Sequence, residues 1–338
     1  SCLDKYPEDA IPEGDAIRTV EEANQAVIGI YAYMKNPNLY SGLLTLLPDL
    51  QADLAYAVEG YTNTYGNIWR WDILPTNTEV EAVYGTLNAL IGKCNFLLER
   101  IAVLEQEVDD EDYEKLQQFK GEALFARALS YSDLIKMYCK AYDPATAADE
   151  LGVVLVSSYS NAGTLKRASL KDSYQFVLDD LAQSATCLKP DEKENDESYY
   201  DTLYFTIYAV NALYARVYLN MQEWDKAIEY ASKVIDSRKF KLSSTTEMID
   251  SETSYYQYMW QYDHSTETIW KVGFTTTSYG GSLGQIFFNY DFNSFKPDYV
   301  PAEWVLNLYA DTDLRATTFF QFYRTGYEHG LQWPLLAK

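Results

Sequence analysis

The chain has 338 residues, 47% hydrophobic and 23% charged, a globular composition long enough for one large core or two domains. Fifty acidic against 27 basic residues give a formal net charge of -23, which argues against nucleic acid, whose phosphates would go unneutralised, and against an acidic membrane surface. No run approaches the roughly 20 apolar residues of a membrane helix and no charged-then-apolar leader opens the sequence, so it reads as a mature, soluble product.

In chain order, Ser1-Cys2-Leu3-Asp4 comes first, and Cys2 is either an incidental terminal thiol or a bacterial lipoprotein cysteine exposed by signal-peptide cleavage. Thr19-Val20-Glu21-Glu22 is a capping box that starts a helix with Ala23, Val27, Ile30, Tyr31 and Met34 on one side, ending near Asn36-Pro37. The connection from there to Thr78 is far longer than usual and holds Tyr40, Tyr56, Tyr61, Tyr65, Trp69 and Trp71, with a short helix expected at Asp49 to Val58. Connections of that length tend to be functional. Thr78-Glu79-Val80-Glu81 reads as a second capping box. Behind it Val80, Tyr84, Leu87, Ile91, Cys94, Leu98 and Ile101 step by four and three, so one buried stripe is expected.

The acidic run Asp109 to Asp112 lacks the alternating ligands and central glycine of a calcium loop and reads as a helix start. In the helix that follows, Gly121, Ala123, Ala126 and Ala128 permit close approach, and the apolar residues lie nearly all round, so packing on several sides is expected. Leu151 to Val156 reads as extended. Ser169 starts a helix with Tyr174, Val177, Leu178, Leu181, Ala185 and Leu188 inward, stopped by Pro190 before a charged link at Asp191 to Glu197. Cys94, Cys139 and Cys187 read as buried free thiols.

Tyr204 to Ser237 reads as a helical hairpin, with Ala212, Ala215 and Tyr218 on one arm and Trp224, Ala227, Ile228, Ala231 and Val234 on the other, similar to one tetratricopeptide unit. Trp224 and Trp304 are expected in the core. The expected fold is therefore mostly α: a helical-repeat scaffold over 19–237 with an insertion at 36–78, an irregular aromatic-rich segment at 238–300 and a return to helix over 301–338. Glu267 to Thr275 alternates like a strand. Asp311-Thr312-Asp313-Leu314-Arg315 lacks further ligands and reads as a helix cap with an Asp–Arg pair. Trp333 to Lys338 is apolar without a helix stop, like the middle of an element.

Several stretches in this order resemble the SusD/RagB family of outer-membrane glycan-binding lipoproteins: Cys2-Leu3-Asp4 with Pro7, Thr19 to Tyr31, Trp71 through Tyr84 to Leu98, Lys120-Gly121-Glu122-Ala123-Leu124-Phe125-Ala126-Arg127-Ala128, Gly152 to Leu155, Arg167 to Leu188, Trp224 to Ile235 and Pro301 to Arg315. The order carries the resemblance, and family members usually continue past the point where this chain stops. The resemblance implies a single tetratricopeptide-like domain, lipid-anchored at Cys2 and facing the cell exterior. It further implies a chain that binds glycan without catalysis, uses no cofactor or metal, and sits over a SusC-like TonB-dependent transporter.

A sugar ring offers a face of C–H bonds and a rim of hydroxyls, so its receptor is a flat aromatic with planar polar groups beside it. Trp69, Arg70, Trp71 and Asp72, with Tyr65 and Asn67, supply both; Tyr279 and Tyr290 lie in the second segment where similar proteins place ligand residues. The net charge of -23 fits a neutral oligosaccharide. Two other functions are weighed against this one. A tetratricopeptide adaptor would have short turns between helices, unlike this chain. A glycoside hydrolase needs only two carboxylates, which 50 acids easily supply; with only His264 and His329 present, zinc or histidine-based chemistry would need unusual ligands.

Overall fold

The computed structural model describes residues 17–58, 64–159, 165–188, 202–281, 283–327 and 330–337. Cys2, Tyr61, Pro190, the charged link at 191–197 and His329 lie outside them. In chain order the elements are α1 (Val20–Tyr33), α2 (Leu43–Gln51), β1 (Ala55–Ala57), α3 (Gly66–Trp69), α4 (Thr78–Leu104), α5 (Asp110–Tyr138), β2 (Leu151–Val154), β3 (Arg167–Ser169), α6 (Leu170–Cys187), α7 (Ile207–Asn220), α8 (Trp224–Asp236), α9 (Tyr255–Gln261), α10 (Leu283–Phe288), β4 (Tyr290–Asp291), β5 (Ser294–Phe295), β6 (Tyr299–Pro301), α11 (Glu303–Leu306), α12 (Leu314–Phe319), β7 (Phe320–Phe322) and β8 (Pro334–Leu336). The fold is mostly α, and the described strands form four two-stranded sheets. The described residues divide into two compact units, the first holding those up to Met34, Tyr84–Lys239 and Ile269–Val272, the second Lys35–Val83, Phe240–Thr268 and those from Gly273 on.

The first unit is the helical scaffold. Its helices start where short polar side chains accept orphan amides: Thr19 from Glu22 at 3.1 Å, Asp109 from Asp112 at 2.9 Å, Ser169 from Asp172 at 3.0 Å. Helix α4, which runs on from the second unit, departs from expectation. Its cap is Asn77, whose Oδ1 accepts the Val80 amide at 2.9 Å, and Thr78 is already helical. Its fully covered row is Val83, Leu87, Leu90, Cys94, Leu97, Ile101 and Leu104; of the expected stripe Leu87, Ile91, Cys94 and Ile101 are buried, whereas Tyr84 is exposed and Val80 and Leu98 are half-buried. Both rows step by four and three. The neighbouring chain, not the periodicity, decides which one is covered.

Helix α5 is buried almost without break from Gly121 to Ile135, packed against α1, α6 and α7. The small residues explain how. A Cβ on Gly121 would stand 2.7 Å from Leu188 Cγ, so glycine is what lets the end of α6 approach. At the centre lies a buried polar knot. Arg127 Nε and Nη2 donate to the two carboxylate oxygens of Asp180 on α6, each at 2.7 Å, and Nη1 donates to Asn95 Oδ1 on α4 at 3.0 Å. Asn95 and Tyr131 in turn both donate to the Val156 carbonyl. The guanidinium also lies 5.0 Å from the centre of the Phe176 ring.

Glu122, one turn earlier, is buried and has no such counter-ion among the described residues. Tyr31 donates to its Oε1 at 2.7 Å and accepts the Phe205 amide at 2.9 Å. Desolvation outweighs these hydrogen bonds and that from Gln118, pushing the Glu122 carboxyl up to about 7. Because its folded pKa lies above the ordinary carboxylate value, the native state holds this proton more tightly than the unfolded chain does. Its contribution to stability is complete below about pH 4.5 and is lost as pH rises through about 7. Glu122→Gln keeps an acceptor for Tyr31 and removes the titration. The variant is expected to melt higher than wild type at pH 8, by roughly 3 kcal/mol of stability, and about equally at pH 4.5, as thermal melts across that range will read.

The hairpin of α7 and α8 forms as expected, and Tyr214, Tyr218 and Tyr230 stack within it at 4.2 to 5.8 Å between ring centres. Trp224 does not join the core. It is 56% exposed, as Ile228 is at 64%, because α7 covers the adjacent row with Ala227 and Val234. Cys94 and Cys187 are buried free thiols, the first pushed up to about 12 by desolvation, and Cys139 is half-buried.

In the second unit, α2 buries Leu44, Leu46, Leu47 and Leu50; it begins ahead of the helix expected at Asp49 to Val58 and shares only Asp49 to Gln51 with it. The end of that stretch is instead β1, paired with β6 across the chain. Glu267 to Thr275 forms no strand; its alternation is spent in irregular chain. Beyond Pro301, helix returns only as α11 and α12 before β7 pairs with β8. The cap reading of Asp313 holds: its Oδ1 accepts the Arg315 amide at 2.9 Å, and its Oδ2 pairs with Arg315 Nη2 at 2.7 Å. The apolar end also has a reason. Leu335 on β8 is fully buried in a cluster with Val58, Val300 and Tyr327.

Candidate functional site

The site is built on the β1–β6 ribbon, in which Ala55, Tyr56 and Ala57 face Pro301, Val300 and Tyr299. Main-chain bonds from Ala302 to Leu54 and from Val58 to Asp298, both 3.0 Å, extend it at either end. Strand alternation turns Ala55 and Ala57 inward and Tyr56 outward. Four of the chain's seven tryptophans then fasten to this ribbon or the turn leading into it through their indole N–H groups, each at 2.8 Å: Trp69 to the Ala55 carbonyl, Trp304 to Asp53, Trp333 to Pro301 and Trp71 to Gln51. A tethered indole has its polar edge occupied and its ring held in one orientation. What it can offer a ligand is its face.

Three of these indoles and Tyr56 line a cleft of about 570 Å³ whose base is Ala55 and Val300 to Ala302, with Leu331, Asp53 and Glu303 completing the wall. That volume lies within the range of small-molecule and cofactor clefts. The Tyr56 and Trp69 rings stand at 90° with centres 5.8 Å apart, forming a corner. Backbone strain accompanies the site. Asp53, Tyr65 and Trp71 all have φ near +60°; aspartate tolerates this region, whereas for the bulky Tyr65 and Trp71 it costs of order 1–3 kcal/mol each. Tyr65 and Trp71 sit at the two ends of α3, so the strain is what turns the chain into and out of the turn carrying Trp69.

Of the expected site residues, the cleft takes Trp69 alone. Trp71 is tethered beside it and 64% exposed. Asn67 accepts from Arg70 at 3.3 Å, and both are exposed, as is Asp72. Tyr65 faces a separate cavity of about 120 Å³ with Leu46, Gly281 and Ile286. Tyr279 and Tyr290 are 80% and 60% exposed and line neither cavity. Trp304, expected in the core, is 47% exposed and forms a wall of the cleft, because its indole is hooked over the Asp53 carbonyl at the rim. Asp53, Tyr56, Glu303 and Trp333 were not singled out by sequence as site residues. The signal they left is faint: two short apolar stretches with an aromatic beside each, separated by most of the chain.

A model of SusD-like proteins described as starch-binding and associating with the outer membrane matches residues 3–219. Among solved structures, a SusD superfamily protein from Bacteroides vulgatus ATCC 8482 superposes with a TM-score of 0.75 at 20% identity, covering 94% of this chain and 68% of that one. A SusD superfamily protein from Bacteroides thetaiotaomicron VPI-5482 gives 0.69 at 23% identity, covering 86% and 61%. A SusD-like carbohydrate binding protein from Bacteroides vulgatus gives 0.71 at 14% identity, covering 90% and 61%. The chain thus spans roughly two thirds or less of the length of these structures. No curated protein sequence matches it. With the helical scaffold, the aromatic cleft and a family match over residues 3–219 in hand, the chain belongs to the SusD-like family.

Proposed function

We propose that this protein binds a neutral glycan in the cleft between Tyr56, Trp69, Trp304 and Trp333 and hands it, without chemical change, to a TonB-dependent transporter in the outer membrane. On this reading Cys2, outside the described residues, carries the lipid that holds the protein at the cell surface. The observation that supports the cleft most strongly is the tethering of its indoles by 2.8 Å bonds to main-chain carbonyls. Aromatic faces fixed before the ligand arrives lose little rotamer entropy on binding, and C–H faces of sugar rings stack on them. A solved SusD-like carbohydrate binding protein that shares the fold supports the same reading.

Affinity electrophoresis against a panel of neutral polysaccharides tests it. Retardation by at least one polysaccharide is expected for wild type. Trp71→Ala is expected to weaken that retardation less than about fivefold, because the Trp71 ring stands outside the cleft lining. Loss of all binding in Trp71→Ala, with Trp304→Ala unchanged, would move the site back to the exposed turn.

A further inference from the structure

Taking the cleft as the glycan site, we infer that Asp53 and Glu303 determine its specificity: they read the hydroxyl rim of uncharged sugars and reject glycans that carry acidic groups. Three features of the cleft lead to this. Among the described lining residues there is no lysine, arginine or histidine, and the two ionisable groups other than Tyr56 are the carboxylates of Asp53 and Glu303. The indole N–H groups, which elsewhere would serve as donors to a ligand, are spent on the Ala55, Asp53 and Pro301 carbonyls. The nearest guanidinium on this turn, Arg70, lies outside the lining and donates to Asn67.

The side-chain hydrogen-bonding capacity of the cleft is therefore almost wholly accepting, the Tyr56 hydroxyl being its one donor. A neutral sugar suits it, since each ring hydroxyl can donate and a carboxylate accepts two donors at once. A uronate or sulfate brings acceptors and negative charge to a lining whose side chains answer with the Tyr56 hydroxyl as donor and with no cation. Both carboxylates flank the same end of the ribbon, where Ala55 pairs with Pro301: Asp53 lies two residues before Ala55, and Glu303 opens α11 two residues after Pro301, so both belong to the wall of one cleft. The chain's net charge of -23 acts in the same direction at longer range and is screened by salt.

The test uses paired probes: a soluble glucan, mannan and galactan, each alongside its C6-oxidised, carboxylate-bearing counterpart, with affinity measured by calorimetry at low and high salt. Wild type is expected to bind at least one neutral member at least tenfold more tightly than its oxidised partner. In the double variant Asp53→Asn, Glu303→Gln the oxidised-to-neutral ratio is expected to rise at least tenfold, with neutral binding weakened. Asparagine also tolerates the left-handed backbone at position 53. Oxidised glycans binding wild type as well as neutral ones, or a ratio unmoved in the variant, would overturn the inference and leave the glycan reading standing. Binding of neither kind would instead defeat the glycan reading itself.

Discussion

Arg127→Ala is expected to destabilise the protein by about 3–5 kcal/mol, the range for removing one partner of a buried ion pair, and to lower the melting temperature by roughly 10 °C. Three helices meet at this guanidinium: it makes two 2.7 Å bonds to Asp180 on α6 and one of 3.0 Å to Asn95 on α4, while α5 supplies the arginine itself. Truncation leaves the Asp180 carboxylate, 2% exposed, without its counter-ion, and removes one of the contacts orienting Asn95 toward Val156. Arg127→Lys is expected to recover only part of the loss, because an ammonium cannot make the parallel pair and the third bond together. The double replacement Arg127→Met, Asp180→Leu is expected to be less damaging than Arg127→Ala alone, since no buried charge remains unpaired. Denaturant melts of the four proteins will rank them. A double variant as unstable as Arg127→Ala would show that packing, and not charge, dominates at this point.

The second large effect is on binding. Trp304→Ala and Trp69→Ala are each expected to weaken glycan binding by about 2 kcal/mol or more, some thirtyfold, as for buried aromatic anchors in other interfaces. The double variant is expected to show no measurable binding. Trp304→Phe separates two contributions: it keeps an aromatic face but loses the tether to the Asp53 carbonyl, so an intermediate affinity is expected. Trp224→Ala is the control, since that indole is also exposed, at 56% against 47% for Trp304, yet lies on α8 in the other unit. Equal losses in Trp224→Ala and Trp304→Ala, read by calorimetry, would mean that the losses reflect general damage and not the cleft.

The scaffold was legible because its signals are local. Thr19, Asp109 and Ser169 sit immediately before apolar rows, and the small residues around Gly121 announce a helix packed on several sides. Where two apolar rows compete on one helix, periodicity alone fails: Tyr84 on α4 and Trp224 on α8 were assigned inward and lie exposed. Tyrosine content is likewise no guide to a ligand surface. Several of the tyrosines are spent inside the scaffold, as in the Tyr214–Tyr230 stack and the Tyr142–Tyr174 contact, and are not offered to a ligand.

Little of the candidate cleft was legible: of the residues singled out, Trp69 alone lines it. A turn with Trp69 and Trp71 in a long connection draws notice by composition alone. Its partners do not, because Trp304 and Trp333 join it through the pairing of Ala55 with Pro301, a contact spanning most of the chain that no local pattern encodes. Tyr279 and Tyr290, placed by family resemblance, stand apart from the cleft in exposed chain. The acidic wall was equally hidden, since Asp53 and Glu303 are ordinary members of a set of 50 until the ribbon brings them to one cleft.

The central claim is that neutral glycan stacks on the tethered indoles of the β1–β6 cleft, and the most direct measurement is a crystal structure of the protein with the polysaccharide-derived oligosaccharide that binds most tightly. The account predicts sugar rings against the faces of Trp69 and Trp304, with hydroxyls within hydrogen-bond distance of Asp53 or Glu303. Sugar bound instead against Tyr279 and Tyr290, with the cleft empty, would contradict it.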